Sequence, residues 1–281
     1  MKAMYTSLGF GGQNSGSCNH NFKNQEFLDI QRKKIPEYCE RHNIPLHVIG
    51  YDNNRMKQIF NHFDRDIPAD SKKHAIYTLS ALAAIFDFCD SPYEEFYWMH
   101  LDMVINKPEI NIFDTFELDD DTIYNWEFVD MHTYGYDSWQ DTKFRMRRML
   151  FAWFNVPFDP RDEKLHLFSN CSTIMMKKNA AIKFRDAILE YFDFFTYLVH
   201  DIYPIEETFM ECINYLCDDL RFTHIRDVKT IGEYKDKPFP ITFKPMWGDP
   251  DPCDHKDSVF IHYWGEHKKT IAQFYRDRGE L

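Results

Sequence analysis

Phe96-Tyr97-Trp98-Met99-His100-Leu101-Asp102-Met103-Val104-Ile105 reads as one buried strand with chemistry set into it. The run is short, apolar and rich in aromatic and β-branched side chains, the content of a strand covered on both faces. Two metal-competent side chains, His100 and Asp102, interrupt it two residues apart. On a strand, residues i and i+2 share a face. That spacing presents an imidazole nitrogen and a carboxylate oxygen to one spot near the strand's end. A buried, unpaired charge is costly, so two readings stand. Either a divalent ion, a phosphate or a cationic side chain meets the pair, or hydrogen bonds satisfy it within a core.

Outward from this stretch, the chain carries the rhythm of an α/β protein. Residues 3–8 read as a first strand. Residues 25–42 follow helical spacing through Phe27, Ile30, Ile35 and Tyr38, with Pro36 expected to kink or divide the helix. Residues 45–50 form a short second strand. Residues 71–89 form a helix with Ser71 at its N-cap and Lys72 and Lys73 in its first turn. Strand, helix, strand, helix, strand predicts a central sheet, parallel in its first half, with helices against it. Ligands in such sheets lie beyond the carboxyl ends of the strands, where His100 and Asp102 stand.

The loop Gly9-Phe10-Gly11-Gly12-Gln13-Asn14-Ser15-Gly16-Ser17 tempts a phosphate-loop reading that its spacing rejects. Asn14 occupies the third glycine position of a dinucleotide fingerprint, and Ser17-Cys18 follow Gly16 where a P-loop needs Lys and Ser or Thr. The composition of the longer loop from Gly9 to Asn21 instead suggests a segment that orders over a bound nucleotide.

Downstream, residues 110–165 are acidic and aromatic with poor periodicity. Residues 145–154, opening Arg145-Met146-Arg147-Arg148, form an amphipathic helix that either touches an anionic membrane or covers the sheet. The short basic cluster in an acidic chain favours the second. Residues 165–176 read as another buried strand with a polar step at Asn170-Cys171-Ser172. Residues 179–200 and 206–217 read as helices, the latter opening on Glu206 and Glu207.

Composition narrows the classes. A chain of 281 residues, 44% hydrophobic and 17% aromatic, suits one large packed α/β domain. It holds no apolar run of about 18 residues, so no transmembrane segment is expected. The opening residues lack the apolar core of a signal peptide. Seven cysteines, odd in number and without a Cys-x-x-Cys pair, predict reduced thiols and a cytoplasmic protein. The net charge of -12 argues against broad nucleic-acid binding. It suits recruitment of a divalent cation ahead of an anionic ligand.

Val259-Phe260-Ile261-His262-Tyr263-Trp264-Gly265-Glu266-His267-Lys268 decides between the two readings of His100 and Asp102. A short strand delivers His262, and a glycine turn sets Lys268 a few residues on. His262-x-x-Gly265-x-x-Lys268 resembles the C-terminal signature of glycogenin-like and lipopolysaccharide galactosyltransferase-like enzymes, metal-dependent retaining glycosyltransferases of the GT-A fold. The resemblance implies a single domain over residues 1–281, with a nucleotide-binding half over about 1–106. An acceptor half over about 107–281 would end in a metal-binding tail.

What the resemblance implies for residues follows the family's order along the chain. His100-Leu101-Asp102 matches the family's Asp-x-Asp, with His in place of the first carboxylate, so His100, Asp102 and His262 become the metal ligands. Thr6 and Ser7, Lys72 or Lys73, Gly265 and Lys268 fall to the nucleotide and its diphosphate. Asn170 and the pair Glu206 and Glu207 fall near the transferred sugar. The implied cofactors are Mn²⁺ or Mg²⁺ and a nucleotide-sugar, a UDP-hexose by analogy. The acceptor would be a hydroxyl of a glycan, lipid or protein. His100 leaves the site one carboxylate short. The rival is therefore a degenerate GT-A module that binds without turnover. A His and Asp metallohydrolase is disfavoured, because such sites need more ligands than the sequence offers.

Overall fold

A computed structural model of the chain describes residues 1–7, 25–49, 80–128, 148–155, 168–199, 205–225, 230–232, 235, 241–243, 258–263 and 270–281. In order, its elements are β1 (Lys2–Thr6), α1 (Gln25–Arg41), β2 (Leu46–Val48), α2 (Ser80–Cys89), β3 (Glu95–Met99), β4 (Met103–Ile105), β5 (Thr122–Phe128) and β6 (Phe168–Lys177). There follow α3 (Lys178–Glu190), α4 (Phe192–Val199), α5 (Ile205–Leu216), β7 (Arg221–His224), β8 (Ile241–Phe243), β9 (Phe260–His262) and α6 (Ile271–Asp277). The main sheet has the order β2-β1-β3-β6-β5-β7. Its strands share one direction except β6, which runs against both β3 and β5. This is the expected α/β class with a mostly parallel sheet.

Side-chain alternation explains why the sheet is covered on both sides. Ala3, Tyr5, Phe96, Trp98, Ile123, Ile174 and Met176 belong to one core, shared with α2, α3, α4 and α5. Their neighbours Met4, Tyr97, Met99, Tyr124 and Met175 belong to a second core, shared with α1, α6, β4 and β9. A helical segment at 148–154 sets Leu150 into the first core, with Met149 and Phe154 packed against it, as the sheet-covering reading expects. No helix among the described residues is long and apolar enough to cross a membrane. Among the described residues, Cys39, Cys89, Cys171, Cys212 and Cys217 form no disulfide.

The decisive stretch is not one strand. β3 stops at Met99, residues 100–102 turn, and β4 leaves the main sheet to pair with β9 in a smaller one of order β4-β9-β8. The i, i+2 argument for His100 and Asp102 therefore fails locally: the two are on a turn. The physical reason is that the polar pair needs partners that a continuous apolar ladder would not supply. Nor does Pro36 divide α1, which runs unbroken through it. Ile35, Tyr38 and Cys39 around it are buried against the second core, and that packing outweighs the missing backbone bond. The expected helix over 179–200 is two helices, parted at Tyr191. β5 and β7 carried no clear periodic signal; their pairing with each other and with β6 defines them. The loop from Gly9, Ser71, Lys72 and Lys73 lie outside the described residues.

One strand residue carries a pH signature. His47 on β2 stacks on Tyr5, with ring centroids 4.7 Å apart at 16°. Burial lowers its pKa below the usual imidazole value. The unfolded chain then binds more protons than the native one in the window just below pH ~6.5. Stability from this group is complete above that window and is lost as pH falls through it. Urea midpoints measured from pH 5 to 8 should rise with pH over this range. His47→Phe should flatten that slope; an unchanged slope would assign it to other groups.

Candidate metal and donor site

The site is assembled where β3 ends. The His100 N–H donates to the Ser172 carbonyl at 2.9 Å, tying the turn to β6. The Tyr263 N–H donates to the Asp102 carbonyl at 2.8 Å, tying it to the end of β9. Within the turn, the Met103 N–H reaches the His100 carbonyl at 3.3 Å. The antiparallel register of β4 on β9 pairs Met103 with His262. That pairing brings His262 to Asp102, 160 residues away in the chain.

Three side chains meet at one oxygen. His100 Nδ1 lies 2.5 Å and His262 Nε2 3.0 Å from Asp102 Oδ1. One ligand atom from each residue lies within 4.8 Å of the others. Asp102 is 2% and His262 3% exposed, whereas His100 stands at the rim. In the hydrogen-bonded arrangement each imidazole N–H donates to the carboxylate. Turned lone pair inward, the same two nitrogens and one oxygen form a donor set suited to a divalent transition ion. Residues on three walls hold the set, so the fit to a metal rests on side chains already in place.

Thr6 closes β1 beside this turn, paired with Met99, and Met99 pairs in turn with Thr173 on β6. Thr6 and Ser7 are fully buried, and their hydroxyls find no hydrogen-bond partner among the described residues. Asn170 stands on β6 opposite Trp126, where the β5–β6 register shifts. Glu206 and Glu207 lie in the first turn of α5. The geometry thus joins His100, Asp102 and His262, with Thr6 on the neighbouring strand. Lys72, Lys73, Gly265 and Lys268 lie outside the described residues.

One contributor carries no motif signal. Gln31 on α1, fully buried, donates Nε2 to the carbonyls of Leu101 and Met103, which flank Asp102. The only sequence trace is a polar residue on the helix's apolar stripe Phe27, Gln31, Ile35, Tyr38.

No family model and no curated protein matches this chain. Among solved structures, it is similar to a glycosyltransferase involved in the glycosylation of the major capsid of PBCV-1. That likeness has 12% identity and a TM-score of 0.48, covering 97% of this chain and 100% of the other. It is also similar to mouse xyloside xylosyltransferase 1, at 13% identity and a TM-score of 0.44, over 83% of this chain and 80% of that one. The galactosyltransferase LgtC, solved with donor and acceptor sugar analogues, is similar at 8% identity and a TM-score of 0.43, over the full length of both. All three likenesses are distant.

Proposed function

We propose that this protein is a metal-assisted glycosyltransferase that moves a hexose from a nucleotide-sugar, a UDP-sugar, to a hydroxyl of a glycan, lipid or protein. The observation that carries the reading is the meeting of His100, Asp102 and His262. Two motifs remote in sequence, singled out by one resemblance, supply these three side chains to one carboxylate oxygen at the carboxyl end of β3.

In this reading His100 Nδ1, Asp102 Oδ1 and His262 Nε2 hold a divalent ion. When bound, the ion supplies positive charge beside the departing diphosphate. Thr6 and Ser7, together with residues 1–106 as the nucleotide half, receive the nucleotide. Lys268, Gly265 and Lys72 or Lys73 hold the diphosphate, and Asn170, Glu206 and Glu207 stand near the sugar. The anomeric C–O bond breaks with its electron pair on the diphosphate. The acceptor oxygen takes the anomeric carbon with retention, and its proton ends on the departing phosphate. Asp102 and His262 are buried, and His100 is the partly exposed member of the set.

The direct test is donor hydrolysis across a panel of sugar nucleotides with Mn²⁺, read as the nucleoside diphosphate released. The reading expects one nucleotide, UDP, to dominate. A second reading, a module that binds without turnover, draws on the bond from His100 to Asp102, which satisfies that pair without an ion. UDP binding with metal but no release from any donor would select it.

Ligand chemistry gives a further expectation. Two imidazoles and one carboxylate favour Mn²⁺ over Mg²⁺, which prefers oxygen donors. Calorimetry should show tighter Mn²⁺ than Mg²⁺ binding, each improved by UDP. His100→Asp should raise Mg²⁺-supported activity. Preference for Mg²⁺ in the native chain, or UDP binding indifferent to metal, would remove these residues as ligands.

A further inference from the structure

We propose that Gln31 is a positioning residue of this site: from α1 it clamps the turn that presents Asp102, and so sets the affinity for the ion. The proposal rests on the metal-centred reading above. Among the described residues β4 is an edge strand, paired only with β9. The Asp102 carbonyl points toward β9 and is taken by the Tyr263 N–H. The carbonyls on either side of it, Leu101 and Met103, point the other way, toward α1, where no strand among the described residues continues the ladder.

Buried backbone carbonyls are almost always satisfied. Here one side-chain amide satisfies both: Gln31 Nε2 donates to Leu101 and, at 2.7 Å, to Met103. Because both partners are acceptors, the NH₂ end of the amide must face them. The other end, Oε1, is buried with no hydrogen-bond partner among the described residues. Leaving such an acceptor unmet is costly. An apolar residue at this point of the stripe would avoid that cost but would leave two carbonyls open beside Asp102. The chain therefore keeps a costly polar solution at the place where it braces the carboxylate's backbone on both sides. Residues that brace ligands in this way commonly change metal affinity by about 10- to 100-fold when removed.

A purely structural edge cap would behave differently, and the same strand provides the control. Two residues beyond Met103, the Ile105 N–H donates to the Tyr275 hydroxyl at 3.0 Å. That contact covers the same open edge from α6 without touching the turn. The experiment measures Mn²⁺ affinity and amide hydrogen exchange in the full chain for wild type, Gln31→Met and Tyr275→Phe. Gln31→Met should weaken Mn²⁺ about 10- to 100-fold and speed exchange at the Met103 and Tyr263 amides. Tyr275→Phe should lower thermal stability and leave Mn²⁺ affinity at the wild-type value. Gln31→Asn keeps the amide but shortens its reach to the two carbonyls, and carries the same test where Gln31→Met does not fold.

Folded Gln31 variants with wild-type affinity and wild-type exchange at those amides would overturn the proposal. So would equal loss of affinity in Tyr275→Phe, which would reduce Gln31 to one edge cap among others. If wild type binds no Mn²⁺, the metal reading falls. The exchange rates then decide the clamp alone: faster exchange at Met103 and Tyr263 supports it, unchanged exchange ends it.

Discussion

Asp102→Asn should lower metal-supported donor turnover by about two to three orders of magnitude, the usual loss for one electrostatic stabiliser. Asp102 is the only carboxylate of the His, Asp, His cluster, and both imidazoles address its Oδ1. Asparagine nearly preserves the shape but removes the charge. It also turns one ligand oxygen into an amide group that competes for the same space. The fold should survive, because the backbone bond from Tyr263 to the Asp102 carbonyl does not involve the side chain. Diphosphate release and a thermal melt on the same preparation check both halves. A folded variant with full turnover would mean that the ion, and with it the alignment of His100-Leu101-Asp102 to an Asp-x-Asp, is misplaced.

His262→Gln should weaken Mn²⁺ by at least about 10- to 100-fold, the range already seen when only a supporting group of a metal site is lost. His262 is buried on β9, and its place against Asp102 follows from the pairing of Met103 with His262. Glutamine keeps most of the volume and a polar end but offers no imidazole nitrogen. Activity should return in part at high Mn²⁺, so the metal concentration for half-activity rises more than the limiting rate falls. A variant that titrates with Mn²⁺ like wild type would show His262 to be an ordinary core histidine bonded to Asp102. Together the two variants separate a carboxylate needed for charge from an imidazole needed for affinity.

Much of the candidate site was legible because its proposed ligands lie in short, spaced motifs. His262 was singled out by the glycine and lysine that follow it, not by its own surroundings. His100 and Asp102 stood out as polar residues in an apolar run. Their convergence was expected for a partly mistaken reason: strand periodicity was to align them, whereas a turn does so. Gln31 was illegible, since nothing in a helix's sequence reveals which distant carbonyls its amide will meet. For Lys72, Lys73, Gly265 and Lys268 the motif alone speaks, and for Asn170, Glu206 and Glu207 only their positions on β6 and α5 are added.

The resemblance implied that His100, Asp102 and His262 share a site, and the β4–β9 pairing brings them together; the sequence by itself determined the α/β class and the parallel first half of the sheet. Those properties follow from hydrophobic periodicity, helix length and residue chemistry, which are local. Tertiary structure alone decided that the run from Phe96 to Ile105 divides between two sheets, that β6 inserts antiparallel between β3 and β5, and that β5 and β7 are strands at all. An apolar decapeptide satisfies its side chains equally well in one sheet or two. What breaks it at His100 is the supply of partners from elsewhere: the Ser172 carbonyl, the Tyr263 amide, the His262 imidazole and the Gln31 amide. Each comes from a segment at least 70 residues away, so no local pattern could have announced the turn.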